Sequence, residues 1–367
     1  MKKKRVMLGM SGGVDSSVAA ALLIEQGYEV YGITLKLWQH DSEEEGPWQS
    51  RTCCKIGVAR QVAKQLGIPY EVVDLQAGFR ASVVEDFIHG YLQGQTPNPC
   101  VRCNERIKFG AFLELAAERR MDYLATGHYA RILYNPVQKR HVLKRAADEN
   151  KDQSYFLYRL RQDQLSRVLF PLGEMRKSEV WERAEFLGLP PEVLTESQEI
   201  CFVTQRDYRG FLEAEVPEAV HAGHGEMVTT QGRVIGKHSG IAFYTIGQRR
   251  GLGISAEDRQ YVVRLDASRN QVIIGQEEDL YNRFLWAEQL NWVAIEGLSA
   301  PLKSAVKVRY RGASIPAELI PVGPDQVRVE FEQQQRAIAR GQSVVFYQEE
   351  AVLGGGIISA PRSGDNP

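Results

Sequence analysis

Apolar positions along the first 130 residues follow two alternating patterns. Short, nearly continuous runs at residues 6–8, 28–37, 70–75 and 123–126 read as strands buried on both faces. Between them, residues 17–26, 55–66, 79–92 and 105–119 carry apolar side chains three and four apart, the period of a helix with one covered face. Such alternation predicts an α/β fold, a Rossmann-like parallel sheet with helices on both sides. Gly27 and Gly67 stand where helix C-caps belong, and Pro69 forbids continuation. Ligands of such sheets bind beyond the carboxyl ends of the strands. That directs attention to the turn after residues 6–8, to Leu35 and to Gly127.

The pattern then changes. Residues 41–50, acidic and containing Gly46 and Pro47, read as an exposed loop, and residues 177–188 as a helix stopped by Pro190 and Pro191. From about residue 221, glycines punctuate short β-rich runs, among them 261–265, 271–274, 305–310 and 342–347. These predict a small β-rich central domain followed by a β-barrel. At 367 residues the chain exceeds one typical core. The expected division is 1–210, 211–275 and 276–361, with disorder from Arg362 onward.

Composition adds modest constraints. Hydrophobic and charged fractions of 43% and 25% are those of a water-soluble globular protein. Behind the basic start Met1 to Arg5, the apolar run ends at Gly9, too short for a secretory signal, and no stretch is long enough to cross a bilayer. Five cysteines, two of them in Cys-x-x-Cys, suit an intracellular chemical site better than a disulfide framework, which makes the cytoplasm the expected location. A net charge of -1 leaves the partner open. Basic clusters occur at Arg102, Arg106 and Lys108, at Lys139, Arg140, Lys144, Arg145 and Lys151, and at Lys303, Lys307, Arg309 and Arg311; each suits a phosphate backbone or a solvated face.

The candidate chemistry begins at Gly9-Met10-Ser11-Gly12-Gly13-Val14-Asp15-Ser16. A strand feeding a glycine-rich turn that opens a helix aims unpaired N–H groups and the positive helix end at one spot, where phosphate binds. Ser11 and Ser16 add hydroxyl donors, and Asp15 suits a magnesium ion bridging to phosphate oxygens. Neither GxxxxGK[ST] nor GxGxxG occurs in the chain. The SGGxDS string instead resembles the PP-loop of N-type ATP pyrophosphatases. That resemblance implies ATP as cofactor, cleaved to AMP and pyrophosphate as a substrate oxygen is adenylated, with Leu35 and Gly127 joining the ATP site.

Sulfur supplies the second set of candidates. Cys100 and Cys103 lie in Pro97-Asn98-Pro99-Cys100-Val101-Arg102-Cys103-Asn104, read as the mouth of a helix beginning near Asn104. There a helix N-terminus, with Arg102 and Arg106, favours the thiolate. Cys201 stands alone in a polar-to-apolar segment, and Cys53 and Cys54 are read as packing at a helix start.

SGGVDS, PNPC-x-x-CN, ATGHYA, KDQSYFLY, ICF, YTIGQRRGLG, VRYR and GQSVVFY, in this order and spacing, resemble the tRNA 2-thiouridylase family across nearly the whole chain. The resemblance implies adenylation of the C2 oxygen of the wobble uridine in tRNAs for lysine, glutamate and glutamine, then its replacement by sulfur. It assigns the persulfide to Cys201, loaded by a sulfur-donor protein, and the attack on it to Cys103, leaving a transient disulfide. It assigns the target base to Asn98 and tRNA contacts to His128, Lys151, Asp152, Gln153, Arg309, Tyr310 and Gln342. Neither DNA nor a membrane is an expected partner. The chain departs from many members at Cys100, where aspartate is common. A third thiol opens an alternative in which Cys100, Cys103 and Cys201 hold a 4Fe-4S cluster that binds the incoming sulfide, and the two routes remain open at this level.

Overall fold

In the computed structural model, residues 3–39, 55–189, 200–203, 207–218, 223–254 and 259–360 are described. The expectations for residues 41–50, Cys53, Cys54, Pro190, Pro191 and the segment from Arg362 lie outside them. The chain divides into two compact units, 1–83 with 100–203 and 350–352, and 84–99 with 204–349 and 353–367.

The first unit opens with β1 (Arg5–Gly9), α1 (Val14–Glu25), β2 (Glu29–Lys36), α2 (Ile56–Gln65), β3 (Tyr70–Asp74) and α3 (Gln76–Phe79), the last running into a π-helical turn, Arg80–Val84. After α4 (Glu85–Leu92) of the second unit come α5 (Pro99–Arg102), a π-helix over Cys103–Ala111 and α6 (Phe112–Glu118), which together form one continuous helical stretch. Then follow β4 (Tyr123–Ala125), the hairpin β5 (Arg131–Asn135) and β6 (Arg140–Lys144), α7 (Gln162–Leu165), β7 (Val168–Leu169) and α8 (Lys177–Phe186).

Five parallel strands pair in the order β3-β2-β1-β4-β7, with Leu8 opposite Gly32 and Met7 opposite Leu124. The strands are apolar on both faces because both are covered. Val6, Leu8, Val14, Val18, Ala19, Ala20 and Leu23 are shut from solvent in one cluster that takes in Val58 and Val62 of α2 and Val180 of α8. Each buried valine or leucine contributes roughly 1.5–3 kcal/mol. Reversal of strand order beside β1 places the β1 and β4 turns at the switch point where ligands of such sheets bind. Residues 350–352 complete this unit. Ala351 pairs with Lys144, the Arg145 amide donates to the Glu350 carbonyl at 2.9 Å, and the Glu350 carboxylate meets Arg131 at 3.0 Å and Lys144 at 3.2 Å.

The second unit adds α9 (Tyr208–Glu215) and a sheet of β8 (Gly225–Thr229), β9 (Val234–His238), β10 (Tyr261–Asp266) and β11 (Gln271–Gly275) in the order β10-β11-β8-β9. It ends in a barrel of β12 (Tyr281–Trp292), β13 (Leu302–Lys307), β14 (Ile315–Gly323), β15 (Gln326–Arg336), β16 (Ser343–Gln348) and β17 (Ala351–Ser359), closed by pairing of β12 with β17. Closure removes free edges from these strands. The expected α/β plus all-β architecture is therefore present. No helix among the described residues is long and apolar enough to cross a membrane.

Candidate functional site

The β1–α1 turn is built by local constraint. Gly12 has φ of +78°, and a Cβ there would lie 2.4 Å from the Lys55 carbonyl oxygen, so a side chain is excluded twice over. The turn is pinned by the Lys55 amide donating to the Ser11 carbonyl at 2.8 Å. Ser16 and Ser17 hydroxyls both donate to the Gly13 carbonyl at 3.0 Å, and Ser16 Oγ accepts from the Ser11 amide at 3.3 Å. Leu35 is buried next to the last residue of β2, the neighbouring strand. Gly127, just past β4, would bring a Cβ within 2.9 Å of the Asp15 and Ser16 backbone, so this close approach requires glycine as well. The residues expected around ATP therefore converge on one edge of the sheet.

Asp15 has partners that local sequence does not reveal. Its Oδ1 accepts from the Lys177 Nζ at 2.6 Å and the Tyr129 hydroxyl at 2.6 Å, with the Lys177 side chain 10% exposed. The Lys177 ammonium also lies over the rings of Tyr129 and Trp181, 5.6 and 5.4 Å from their centroids. Tyr129 falls inside the ATGHYA string, but Lys177 is 162 positions from Asp15 and nothing near either residue announces the pair.

The cysteine pair lies inside a helix, not at the mouth of one starting at Asn104. Pro99 takes the first helical position, where its missing N–H costs nothing, so Cys100 falls in the first turn and Cys103 opens the π-helix. Arg102 is drawn to Glu105 at 3.1 Å, Arg106 donates to the Ser82 carbonyl at 3.1 Å, and Arg159 takes the other Glu105 oxygen at 2.6 Å. Burial pushes the Cys100 thiol up, against an opposing pull from Lys108. Burial thus disfavours the thiolate at Cys100, while the Lys108 charge favours it.

His128 Nδ1 lies 2.7 Å from Thr126 Oγ1, and its ring packs against Phe109 and Phe170. Burial first, then the nearby Lys108 charge, holds its pKa well below the usual histidine range, so the ring is neutral near pH 7. Phe202, next to Cys201, sets its ring 5.7 Å from Phe79 of α3 and 5.9 Å from Trp38 just beyond β2. Phe202 thus fastens the segment that carries Cys201 beside α3, which also packs on the π-helix opened by Cys103.

A strap over residues 151–159 joins the cradle to the thiol helix. Gln153 exchanges hydrogen bonds with the Tyr129 backbone at 2.8 and 2.9 Å, Asn104 Nδ2 donates to the Phe156 carbonyl at 3.1 Å, and Arg159 reaches Glu105. Asp152 is 4% exposed, and its carboxylate accepts from the Ala146 and Ser154 amides and the Ser154 hydroxyl, which holds the strap's shape. Lys151 begins the strap half-buried, its amide donating to the Asp148 carbonyl.

In the second unit, β13 ends at Lys307, leaving Arg309 exposed and Tyr310 half-exposed in the following turn; Tyr310 is not a barrel-core residue. Gln342 lies in the turn before β16, where the Arg340 carbonyl accepts from the Thr96 amide at 2.8 Å, beside the segment carrying Asn98.

Cys100, Cys103 and Cys201 are free thiols. Among the described residues no three histidine, cysteine, aspartate or glutamate side chains are grouped to hold a metal ion.

Three family models cover the chain: the tRNA methyl transferase HUP domain over residues 4–205, the tRNA methyl transferase PRC-barrel domain over 209–276 and the aminomethyltransferase β-barrel domain over 282–358. The chain is 46% identical over 361 residues to the tRNA-specific 2-thiouridylase MnmA of Acetivibrio thermocellus, covering 98% of this chain and 100% of that one. It belongs to the tRNA-specific 2-thiouridylase (MnmA) family. Similar MnmA proteins occur in Symbiobacterium thermophilum, 48% identical with 97% and 92% of the two chains covered, and in Natranaerobius thermophilus, 45% identical with 98% of each. Within this MnmA member, the phosphate turn, both thiol segments and the strap all belong to the first unit.

Proposed function

We propose that the chain is an enzyme that uses ATP to adenylate the C2 oxygen of the wobble uridine in tRNAs for lysine, glutamate and glutamine, and installs sulfur there. The carrying observation is the strap: Gln153 ties it to Tyr129, whose hydroxyl bonds Asp15, and Asn104 ties it to the thiol helix. One frame thus supports phosphate chemistry and sulfur chemistry together.

The Gly9 to Ser16 turn binds the phosphates of ATP through its N–H groups from Gly12 onward, and Lys177, paired with Asp15, shares their charge. Asp15, a hard oxygen donor, fits magnesium together with phosphate oxygens, an ion that would offset charge on the pyrophosphate leaving group. A ring carbonyl oxygen leaves poorly whereas AMP leaves well, so adenylation comes first. A sulfur-donor protein converts Cys201 to a persulfide. The Cys103 thiolate attacks the inner sulfur, forming the Cys103–Cys201 disulfide and expelling hydrosulfide, which adds to C2 as AMP departs with the former oxygen and a proton is lost. A thiol reductant then restores both cysteines. Arg309 and Lys151 suit phosphates, Tyr310 suits stacking, Gln342, Gln153 and the neutral His128 suit hydrogen bonding, and Asn98 lies in the segment assigned to the target base. Residues 1–210, 211–275 and 276–361 serve as the adenylation and thiolation, central and tRNA-binding domains of a cytoplasmic enzyme.

The test pairs two readouts on Cys201→Ser and Cys103→Ser enzymes with unmodified tRNA. Pyrophosphate release continues while 2-thiouridine falls at least about 1,000-fold, as expected on losing a nucleophile. Normal 2-thiouridine from the Cys201→Ser enzyme would remove the persulfide from the mechanism.

A further inference from the structure

We infer that the turn over residues 245–253 of the second unit grips the phosphate backbone of the tRNA, with Arg249 and Arg250 as its contacts. The inference rests on tRNA being the substrate and adds contacts beyond those assigned above.

The string YTIGQRRGLG, residues 244–253, has no part in the chemistry described so far, yet its backbone is held tightly. The Gly247 amide donates to the Val262 carbonyl at 2.8 Å, and the Val262 amide donates back to the Gln248 carbonyl at 2.9 Å. The Gln248 side chain braces the turn from within. Its Oε1 accepts from the Thr245 amide at 3.2 Å and its Nε2 donates to the Arg250 carbonyl at 3.0 Å. Gly247, Gly251 and Gly253 have φ of +87°, +71° and +68°, a backbone that other residues resist. Tyr244 and Leu252 are buried and anchor the two ends.

What this fixed turn presents is two adjacent exposed arginines. Among the described residues neither has an acidic partner. Arg336, whose Nη1 would lie 3.9 Å from a Cβ on Gly247, is by contrast paired with Glu277 at 3.4 Å. A third cation, Arg209 of α9, comes up beside Gly251, where an added Cβ would lie 3.8 Å from its Nη1. Like charges gathered on a fixed backbone repel one another in the free protein, and an anion offsets that repulsion without having to order the loop first.

The fold around the turn says which anion. Ile241, three residues before Tyr244, packs on Gly94, where an added Cβ would lie 3.3 Å from its Cδ1; Gly90 abuts Pro97, the neighbour of Asn98. Gly341, which precedes Gln342, meets Gln95 in the same way. The arginine turn therefore belongs to the scaffold that carries Asn98 and Gln342, both assigned to tRNA, which favours RNA over an acidic protein as its occupant.

Full-length enzyme is titrated with unmodified lysine tRNA between about 50 and 200 mM salt. Arg249→Gln with Arg250→Gln is expected to weaken binding at least about tenfold and to lower the slope of log K against log salt by about 1.4–1.8, the loss of two phosphate contacts. The corresponding pair of lysine substitutions should keep the slope. Gln248→Ala retains both charges but frees the turn, and should weaken binding about threefold at an unchanged slope. Unchanged affinity and slope in the glutamine pair overturn the inference; so does lost affinity at the wild-type slope, which marks a structural role. If the glutamine pair does not fold, each single variant is read by the same criterion, with a slope change of about 0.7–0.9. Intact tRNA binding with slower loading of Cys201 by a persulfide-donor protein would assign the turn to an acidic protein and overturn the RNA contact. Wild-type enzyme that binds no tRNA overturns the substrate reading together with this one, whereas wild-type binding shared by the glutamine pair overturns this inference alone.

Discussion

In the turn proposed to bind phosphate, the groups offered are backbone N–H groups, fixed by a loop that admits no side chain at Gly12. In the thiol helix they are sulfur atoms, and their bearing depends on contacts from distant parts of the chain. At Gly12, φ of +78° and the nearby Lys55 carbonyl set the geometry within a few residues of the loop. The π-winding at Cys103 is held from residues 156 and 159, where Asn104 and Glu105 find their partners. A site that binds many phosphate oxygens at once needs a rigid cradle, whereas sulfur transfer needs thiols whose exposure and charge can be set separately, as burial and Lys108 do for Cys100.

Substitution can separate the two designs. Gly12→Val is expected to have the largest effect, cutting tRNA-dependent pyrophosphate release at least about 100-fold and lowering stability by about 3 kcal/mol, read by urea unfolding. If that variant releases pyrophosphate normally, local rigidity is not what makes the cradle. Glu105→Gln leaves Arg102 and Arg159, 13% and 14% exposed, without their carboxylate. It should cost about 2 kcal/mol and slow sulfur transfer more than adenylation, whereas equal slowing of both steps would deny the helix its separate control. Lys177→Met should raise the KM for ATP about tenfold with little change in sulfur transfer, and an unchanged ATP KM would separate Lys177 from the cradle.

The smallest effect concerns pH. His128 is held uncharged in the fold, so below the usual histidine pKa of about 6.5 the unfolded chain binds a proton that the folded one refuses. Stability contributed by the neutral ring is complete above that pH and declines as pH falls, by about 1 kcal/mol between pH 7 and 5.5. His128→Gln should flatten this part of the curve in chemical unfolding, and an unchanged slope would mean that the ring takes up its proton in the folded state.

The same contrast explains what could be read from the sequence. The parallel strands and the turn at Gly12 and Gly13 were legible because each is specified by neighbours: apolar runs, paired glycines, a helix directly behind. The start of the thiol helix was not, because Pro97 and Pro99 read as breakers although Pro99 serves as the first helical residue. Nor could the π-winding be read, since it needs partners some 50 residues away. Lys177 escaped notice for the same reason. β7 spans two residues, too few to show a period, and in the β5–β6 hairpin Leu133 and Tyr134 are 48% and 55% exposed, which erases the alternation that marks a half-buried strand. The strand expected at 305–310 lies three residues earlier, at 302–307, because Val308 continues the apolar pattern after pairing has stopped at Lys307.

Glu350 closes contacts with Arg131, Lys144 and Arg145, residues made some two hundred positions earlier. On the ribosome, the nucleotide-handling part of the molecule therefore waits with an unfinished flank through most of translation. Its final fastening arrives only when the last barrel strand leaves the exit tunnel, so a nascent chain stalled before that point carries a hairpin whose Arg131 and Lys144 still lack the Glu350 carboxylate.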